Sequence, residues 1–166
     1  MFLVKNNSKI ILGIDPGYDR LGICILEKTS TGENKLIYSH CLESDRKQEL
    51  HERIFYLCIE LKKIILNYNP VELSIEKLFF TTNQKTVMGV SETRGAIIFL
   101  CKTLSLKIFE YTPLQIKIAL TGYGKATKEQ VNFMVKNILQ LVTLSKKRDD
   151  EYDAIALAIT HSASLK

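Results

Sequence analysis

Asp15, Glu76, Asp150 and Asp153 are the residues of this chain whose type and placement point to chemistry. Three of them adjoin strongly apolar runs: Ile10–Ile14 before Asp15, Leu73–Ile75 before Glu76, and Ala154–Ile159 after Asp153. A carboxylate at the edge of a core segment is costly unless something satisfies it. Four acids at such edges, brought together by one fold, make a divalent-metal site, and phosphoester or other hydrolysis is the chemistry such a site performs. Each acid also has a plainer reading: Asp15 in a hairpin turn, Glu76 at a strand end, and Asp150 and Asp153 in the first turn of a helix, where acids suit the helix dipole. Asp149 and Glu151 stand beside Asp150 and compete with it for the ligand role.

Positioning these acids requires a sheet. Residues 9–15 read as a buried strand ending at Asp15-Pro16-Gly17, residues 21–28 as its hairpin partner, and residues 35–42 as a third strand after a polar turn. Short turns between consecutive strands imply antiparallel pairing. Leu50, Ile54, Leu57, Cys58, Leu61, Ile64 and Ile65 recur at helical spacing and predict a helix over 46–67, stopped before Asn69-Pro70. Strand four is expected at 71–76. A second helix carries Val87 to Cys101, strand five spans 106–111, and a short helix opens at Pro113. Thr127 with Gln130 predicts a capped helix over 128–142, and the last helix spans 150–162. The result is an α/β fold: a mixed five-stranded sheet of three antiparallel strands followed by parallel βα units, flanked by helices.

The chain has 166 residues, 46% hydrophobic and 25% charged, and reads as one domain over 1–166 with residues 1–8 as a short N-terminal extension. No apolar run approaches the roughly 18 residues of a membrane span, and no secretory signal is seen at the N-terminus, so a cytoplasmic location with no membrane partner is expected. Cys24, Cys41, Cys58 and Cys101 are scattered singly in apolar patterns and read as buried reduced thiols. The net charge of +5 and the pI of about 9.0 are compatible with nucleic acid. With an acidic cluster present, the remaining surface must be more positive than the total suggests.

The motifs occur in an order that carries a resemblance. Ile-Leu-Gly-Ile-Asp-Pro-Gly at 11–17 is followed by Gly22, then Ser-Ile-Glu-x-x-Phe at 74–79, Arg94-Gly95 and Glu-Tyr-x-Pro at 110–113. Lys117, Gly122, Gly124, Ala126 and Lys128 then precede Asp-x-x-Asp-Ala-x-Ala-x-Ala-Ile-Thr-His at 150–161. This set resembles the RuvC family of Holliday-junction resolvases, on the ribonuclease H-like fold, over about residues 9–162. The Asp-x-Gly turn alone also opens the phosphate-binding hairpin of actin-like ATPases and sugar kinases, but those folds need a second lobe for which the chain leaves little room.

The resemblance implies catalytic metal-binding acids at Asp15, Glu76, Asp150 and Asp153, with Lys117 and Lys128 beside the scissile strand. It makes Phe79, assisted by Phe80, the aromatic that stacks on unpaired bases, against the plainer reading of core packing. Oxygen-only ligands suit two magnesium ions, with manganese able to substitute. Lys77, Lys85, Arg94, Lys117, Lys125 and Lys128 would line the DNA face, whereas Lys146-Lys147-Arg148 reads as a solvated turn. His161 closes the family's Thr-His but lies about two helical turns beyond Asp153 and reads as structural. The activity implied is paired, symmetric nicking of a four-way DNA junction in recombination and repair. Paired nicks need two sites related by a two-fold axis, hence a homodimer, with a branch-migration helicase as a possible partner. The alternatives are a ribonuclease H-like nuclease for an RNA–DNA hybrid or flap, and a junction-binding protein without catalysis.

Overall fold

A strand with apolar side chains on both faces has to lie inside a sheet covered on both sides. Ile11, Leu12 and Ile14 are all completely buried, and the strand that holds them is the middle of the sheet. The computed structural model describes residues 8–78, 84–141 and 148–165. Its elements run β1 (Lys9–Asp15), β2 (Arg20–Lys28), β3 (Asn34–Glu43), α1 (Leu50–Tyr68), β4 (Glu72–Glu76), α2 (Gln84–Thr103), β5 (Lys107–Tyr111), α3 (Pro113–Thr121), α4 (Lys128–Ile138) and α5 (Asp149–Ser164). The strands form one sheet in the order β3-β2-β1-β4-β5. β1–β2 and β2–β3 pair antiparallel, and β1–β4 and β4–β5 parallel. This is the mixed five-stranded α/β fold expected from the sequence.

Two boundaries differ from expectation. The first helix begins at Leu50 rather than 46 because Asp45 closes a turn ahead of it: its side chain accepts from the Lys47 N–H at 2.9 Å and its carbonyl from the Gln48 N–H at 3.0 Å. α4 stops at Ile138 rather than 142, and Gln140 takes a left-handed conformation at φ 51° that no helix continues through. The Asn69 stop and the Thr127–Gln130 capping box are present as read. A second capping box, Thr112 with Gln115, starts α3 behind Pro113. Cys24, Cys41 and Cys101 are buried as expected, and Cys58 only partly so.

The sheet separates two cores. Leu12, Ile14, Ile23, Ile25, Leu73 and Ile75 pack on one face with Leu57 and Leu61 of α1 and Ile97 of α2. Ile11, Cys24 and Leu26 pack on the other with α5, Val131 and Val135 of α4, and Leu120. Along a strand, side chains alternate between faces, so Gly13 and Asp15 share the α5 face with Ile11. Among the described residues no helix is long and apolar enough to cross a membrane.

α5 touches the sheet at two glycines. A Cβ added to Gly13 would stand 2.2 Å from the Ala154 carbonyl oxygen and 2.9 Å from the Ala158 Cβ, and one on Gly22 would stand 2.0 Å from the Asp150 carbonyl oxygen. Backbone here leaves no room for a methyl group. Gly13→Ala should therefore lower stability by about 1–3 kcal/mol, the usual cost of overpacking a core, measured as a fall in the denaturation midpoint.

Candidate active site

Strand parity and register bring Asp15 and Glu76 together. β1 and β4 run parallel with Ile14 opposite Ile75, so both strands end their carboxyl edges side by side. Ser74 bonds α5 through its hydroxyl, donating to the Leu157 carbonyl at 2.7 Å. Glu76, two residues on, therefore leaves the sheet on the same face as Asp15. The first turn of α5 lies over that edge, held there by the bare backbone of Gly22. Asp150 and Asp153 occupy that turn and the next.

The residues between and beside them are turned elsewhere. Glu151 accepts from the Ser39 hydroxyl of β3 at 3.0 Å and from the Arg148 N–H at 3.4 Å, away from Asp15. Tyr152 is buried, with Lys136 above its ring. Asp149 is largely exposed and stands 3.6 Å from the Lys128 ammonium. Asp150 is 3.5 Å from Arg20, where β2 returns beside Asp15. Arg20 was not singled out in the sequence; its place in the hairpin, on the far side of the turn from Asp15, was the available signal.

Two lysines complete the cleft. Lys128 opens α4 and donates to Asp153 at 2.9 Å. Lys117, on α3, lines a cleft of about 220 Å³ with Glu76, Lys128 and Asp153. Arg94 has a different task from the free cation expected: its guanidinium is mostly buried, donating to the Glu76 carbonyl at 3.2 Å and pairing with Glu110. It fixes the end of β4 rather than offering its charge outward. Lys77 and Lys125 are exposed. Phe79 and Phe80 lie outside the described residues, as do Lys146 and Lys147 and the side chain of Lys85. His161 is fully buried near the start of β4, bonded to Glu72 at 2.9 Å and Tyr111 at 2.7 Å, which accords with a structural role.

The electrostatics mark the cleft as short of positive charge. Asp15 is pushed up to about 7, first by burial, then by the charges of Asp153, Glu76 and Asp150, against which Lys128 pulls down. Glu76 is raised by burial and by Asp153. Asp153 is raised by burial, with Asp149 and Asp150 adding to it and Lys128 opposing. Burial acts to lower the Lys128 ammonium, but Asp153, Asp149 and Asp15 together carry it above its usual value. Among the described residues no three candidate ligand side chains are already gathered round one point. Half-buried carboxylates that repel one another, with oxygen as the only donor element, nevertheless fit a hard divalent cation.

An acidic cleft at the carboxyl edge of this mixed sheet, walled by two lysines, defines a nuclease of the ribonuclease H-like class, and nucleases of this class are divalent-metal-dependent. The sequence model of the family described as crossover junction endodeoxyribonuclease RuvC matches residues 11–161, and the chain belongs to that family. It is 42% identical to the Caldicellulosiruptor saccharolyticus crossover junction endodeoxyribonuclease RuvC over 93% of this chain and 92% of that one. The Halothermothrix orenii protein of the same name is 40% identical over 95% and 94%. The solved structure of T. thermophilus RuvC in complex with a Holliday junction substrate superposes with a TM-score of 0.87 at 26% identity, covering 94% of both chains.

The raised Asp15 has a sign that can be measured. Between about pH 4 and 7 the folded chain holds a proton there that the unfolded chain has released, so this group's contribution to stability falls as pH rises through that window. Asp15→Asn removes the penalty. Without metal, the variant should melt above wild type at pH 8, with the difference shrinking toward pH 4 in thermal denaturation with chelator present.

Proposed function

We propose that this chain resolves four-way DNA junctions by paired, symmetric nicks, working as a homodimer with two magnesium ions at each site. The observation that carries this reading is the meeting of Glu76 and Asp153 with Lys117 and Lys128 in one cleft, with Asp15 close enough to feel the charges of Glu76, Asp153 and Lys128. Asp15, Glu76, Asp150 and Asp153 would hold the ions. When bound, these supply activation of water and stabilisation of the leaving 3′-oxygen.

The chain's own residues do the remaining work. Lys128 now balances Asp153 and Asp149. Its ammonium would turn from those acids to the phosphate when the acids are otherwise balanced. Lys117, which lines the same cleft, neutralises charge developing on the scissile group. Arg94 holds the Glu76 backbone so that the carboxylate leaves β4 at a fixed angle. Exposed Lys77 and Lys125, with Lys85, extend the positive surface along the DNA arms, and binding through phosphates weakens steeply with salt. Phe79 follows Glu76 closely in sequence and provides the platform for an unpaired base. One cleft cuts one strand, so two nicks related by symmetry require two copies about a two-fold axis. Cytoplasmic DNA is the setting for such an activity, and a branch-migration helicase is the class of partner that would deliver the junction.

Purified protein with magnesium should cut a synthetic four-way junction at two symmetry-related positions and leave linear duplex and RNA–DNA hybrid intact. Preferred cutting of the hybrid would overturn the substrate assignment. Asp15→Asn should bind the junction and leave it uncut, and full cutting by this variant would remove Asp15 from the metal site. Phe79→Ala should keep the melting temperature but weaken productive junction engagement by about 1–3 kcal/mol, the worth of one stacked base. This is read as junction cleavage under single-turnover conditions.

A further inference from the structure

The turn that follows Asp15 is not held by its own hairpin alone. Tyr18 and Asp19 are gripped by Arg53 of α1, a mostly buried side chain. Its Nε donates to the Ser44 hydroxyl at 3.0 Å, and its Nη2 donates to the Tyr18 carbonyl at 3.1 Å and pairs with Asp19. The Ser44 hydroxyl donates to the same Tyr18 carbonyl at 2.6 Å, and the Ser44 N–H donates to the Asp19 carbonyl at 3.1 Å. The guanidinium also sits 5.1 Å from the centre of the Tyr18 ring. Pro16 is buried between this clamp and Asp15 and has a fixed φ. Tyr18 and Asp19 are thus held from behind, and only Pro16 and Gly17 separate them from Asp15.

One further contact reaches it. The Tyr18 ring lies against Gly89 in α2, where an added Cβ would stand 2.8 Å from Cε1 and 2.9 Å from Cδ1. Glycine inside a helix costs stability relative to alanine, and here the ring occupies the space a methyl group would need. Gly95 in the same helix has nothing within 4 Å of such a Cβ, so this approach is specific to Gly89. α2 is the helix entered by the segment that leaves Glu76 and carries Phe79.

We propose that the Tyr18–Gly89 contact couples α2 to the catalytic turn, so that the placement of α2 sets the position of Asp15. Tyr18 is a positioning residue in this arrangement, and Arg53 is its anchor. The inference rests on the junction-cleaving reading above. It differs from simple support of the fold in acting on cleavage more than on binding or stability.

The test measures single-turnover cleavage and binding of a synthetic four-way junction by Gly89→Ala, Tyr18→Ala, Tyr18→Phe and the Tyr18→Ala/Gly89→Ala double variant. The ring and the backbone carbonyl make the contacts, so Tyr18→Phe should cut at the wild-type rate. Gly89→Ala and Tyr18→Ala should each cut about 10- to 100-fold more slowly, the scale for a misplaced catalytic group, with junction affinity unchanged. The double variant should be no slower than Tyr18→Ala alone, because the contact through which Gly89 acts is already gone. Losses that multiply, or wild-type cutting by Tyr18→Ala, would overturn the coupling. If Gly89→Ala does not fold, the two Tyr18 variants decide: slow cutting by Tyr18→Ala with wild-type cutting by Tyr18→Phe supports the coupling, and any other pattern overturns it. Hydrogen exchange across residues 16–22 reads the same contact without cleavage and should quicken in Tyr18→Ala. If wild type leaves junctions uncut, the proposed function fails. Exchange that quickens even then upholds the mechanical link by itself, and unchanged exchange overturns it.

Discussion

The close approach of α5 to the sheet is the constraint on which the rest depends. Gly13 and Gly22 let its backbone lie directly on β1 and β2, where a single methyl group would collide with carbonyl oxygens. Alanines at 154 and 158 keep the helix side of that contact small. This lowers the first two turns of α5 onto the carboxyl edge of the sheet, so acids from the far end of the chain meet an acid from its beginning. Larger residues at the two glycines would lift the helix, and the four carboxylates would become the separate, solvated acids that each resembles in the sequence.

Bringing like charges together costs stability, and the fold bears that cost in one place. Asp15 is pushed up to about 7 by burial and by three neighbouring carboxylates. Lys128 and Arg20 relieve the cluster only at its rim, through Asp153 and Asp150. The backbone around the acids is meanwhile pinned from behind: Arg94 on the end of β4, the Arg53 clamp on the turn after Asp15, and the Thr112–Gln115 and Thr127–Gln130 boxes at the starts of the two lysine-bearing helices. Rigid backbone with unbalanced side-chain charge is what electrostatic preorganisation for a cation and a phosphate requires.

Much of this was legible in the sequence, and the rest was hidden for identifiable reasons. Continuous apolar runs placed β1 and β4, and once the two pair in parallel, Asp15 stands beside Glu76. The capping signature put Lys128 at a helix start. Arg94 and Arg53 could not be read: each is a cation in an amphipathic helix, where an outward-facing charge is the ordinary outcome, and their inward turn depends on carbonyls and acids distant in the chain. The choice between Glu151 and Asp150 was likewise undecidable from spacing, because helical position alone does not say that Ser39 of β3 waits for Glu151.

β4 contains its own control for the plainest alternative, that Glu76 is merely a strand-end acid. Its two ends carry Glu72 and Glu76, an even number of residues apart and so on the same face of the sheet. At Glu72 burial acts to raise the carboxyl. A hydrogen bond to His161 at 2.9 Å and an ion pair with Lys9 at 3.4 Å outweigh burial and hold it below its usual value. His161 donates from Nε2 and accepts at Nδ1 from the Tyr111 hydroxyl, which closes the network. This is how the fold treats a carboxylate it only needs to bury. At Glu76, Arg94 of α2 supports the backbone, no cation pairs with the carboxylate among the described residues, and burial and Asp153 push it the other way. The sequence had partners available for one end and placed like charges at the other, and the unbalanced end opens into a cleft with two lysines.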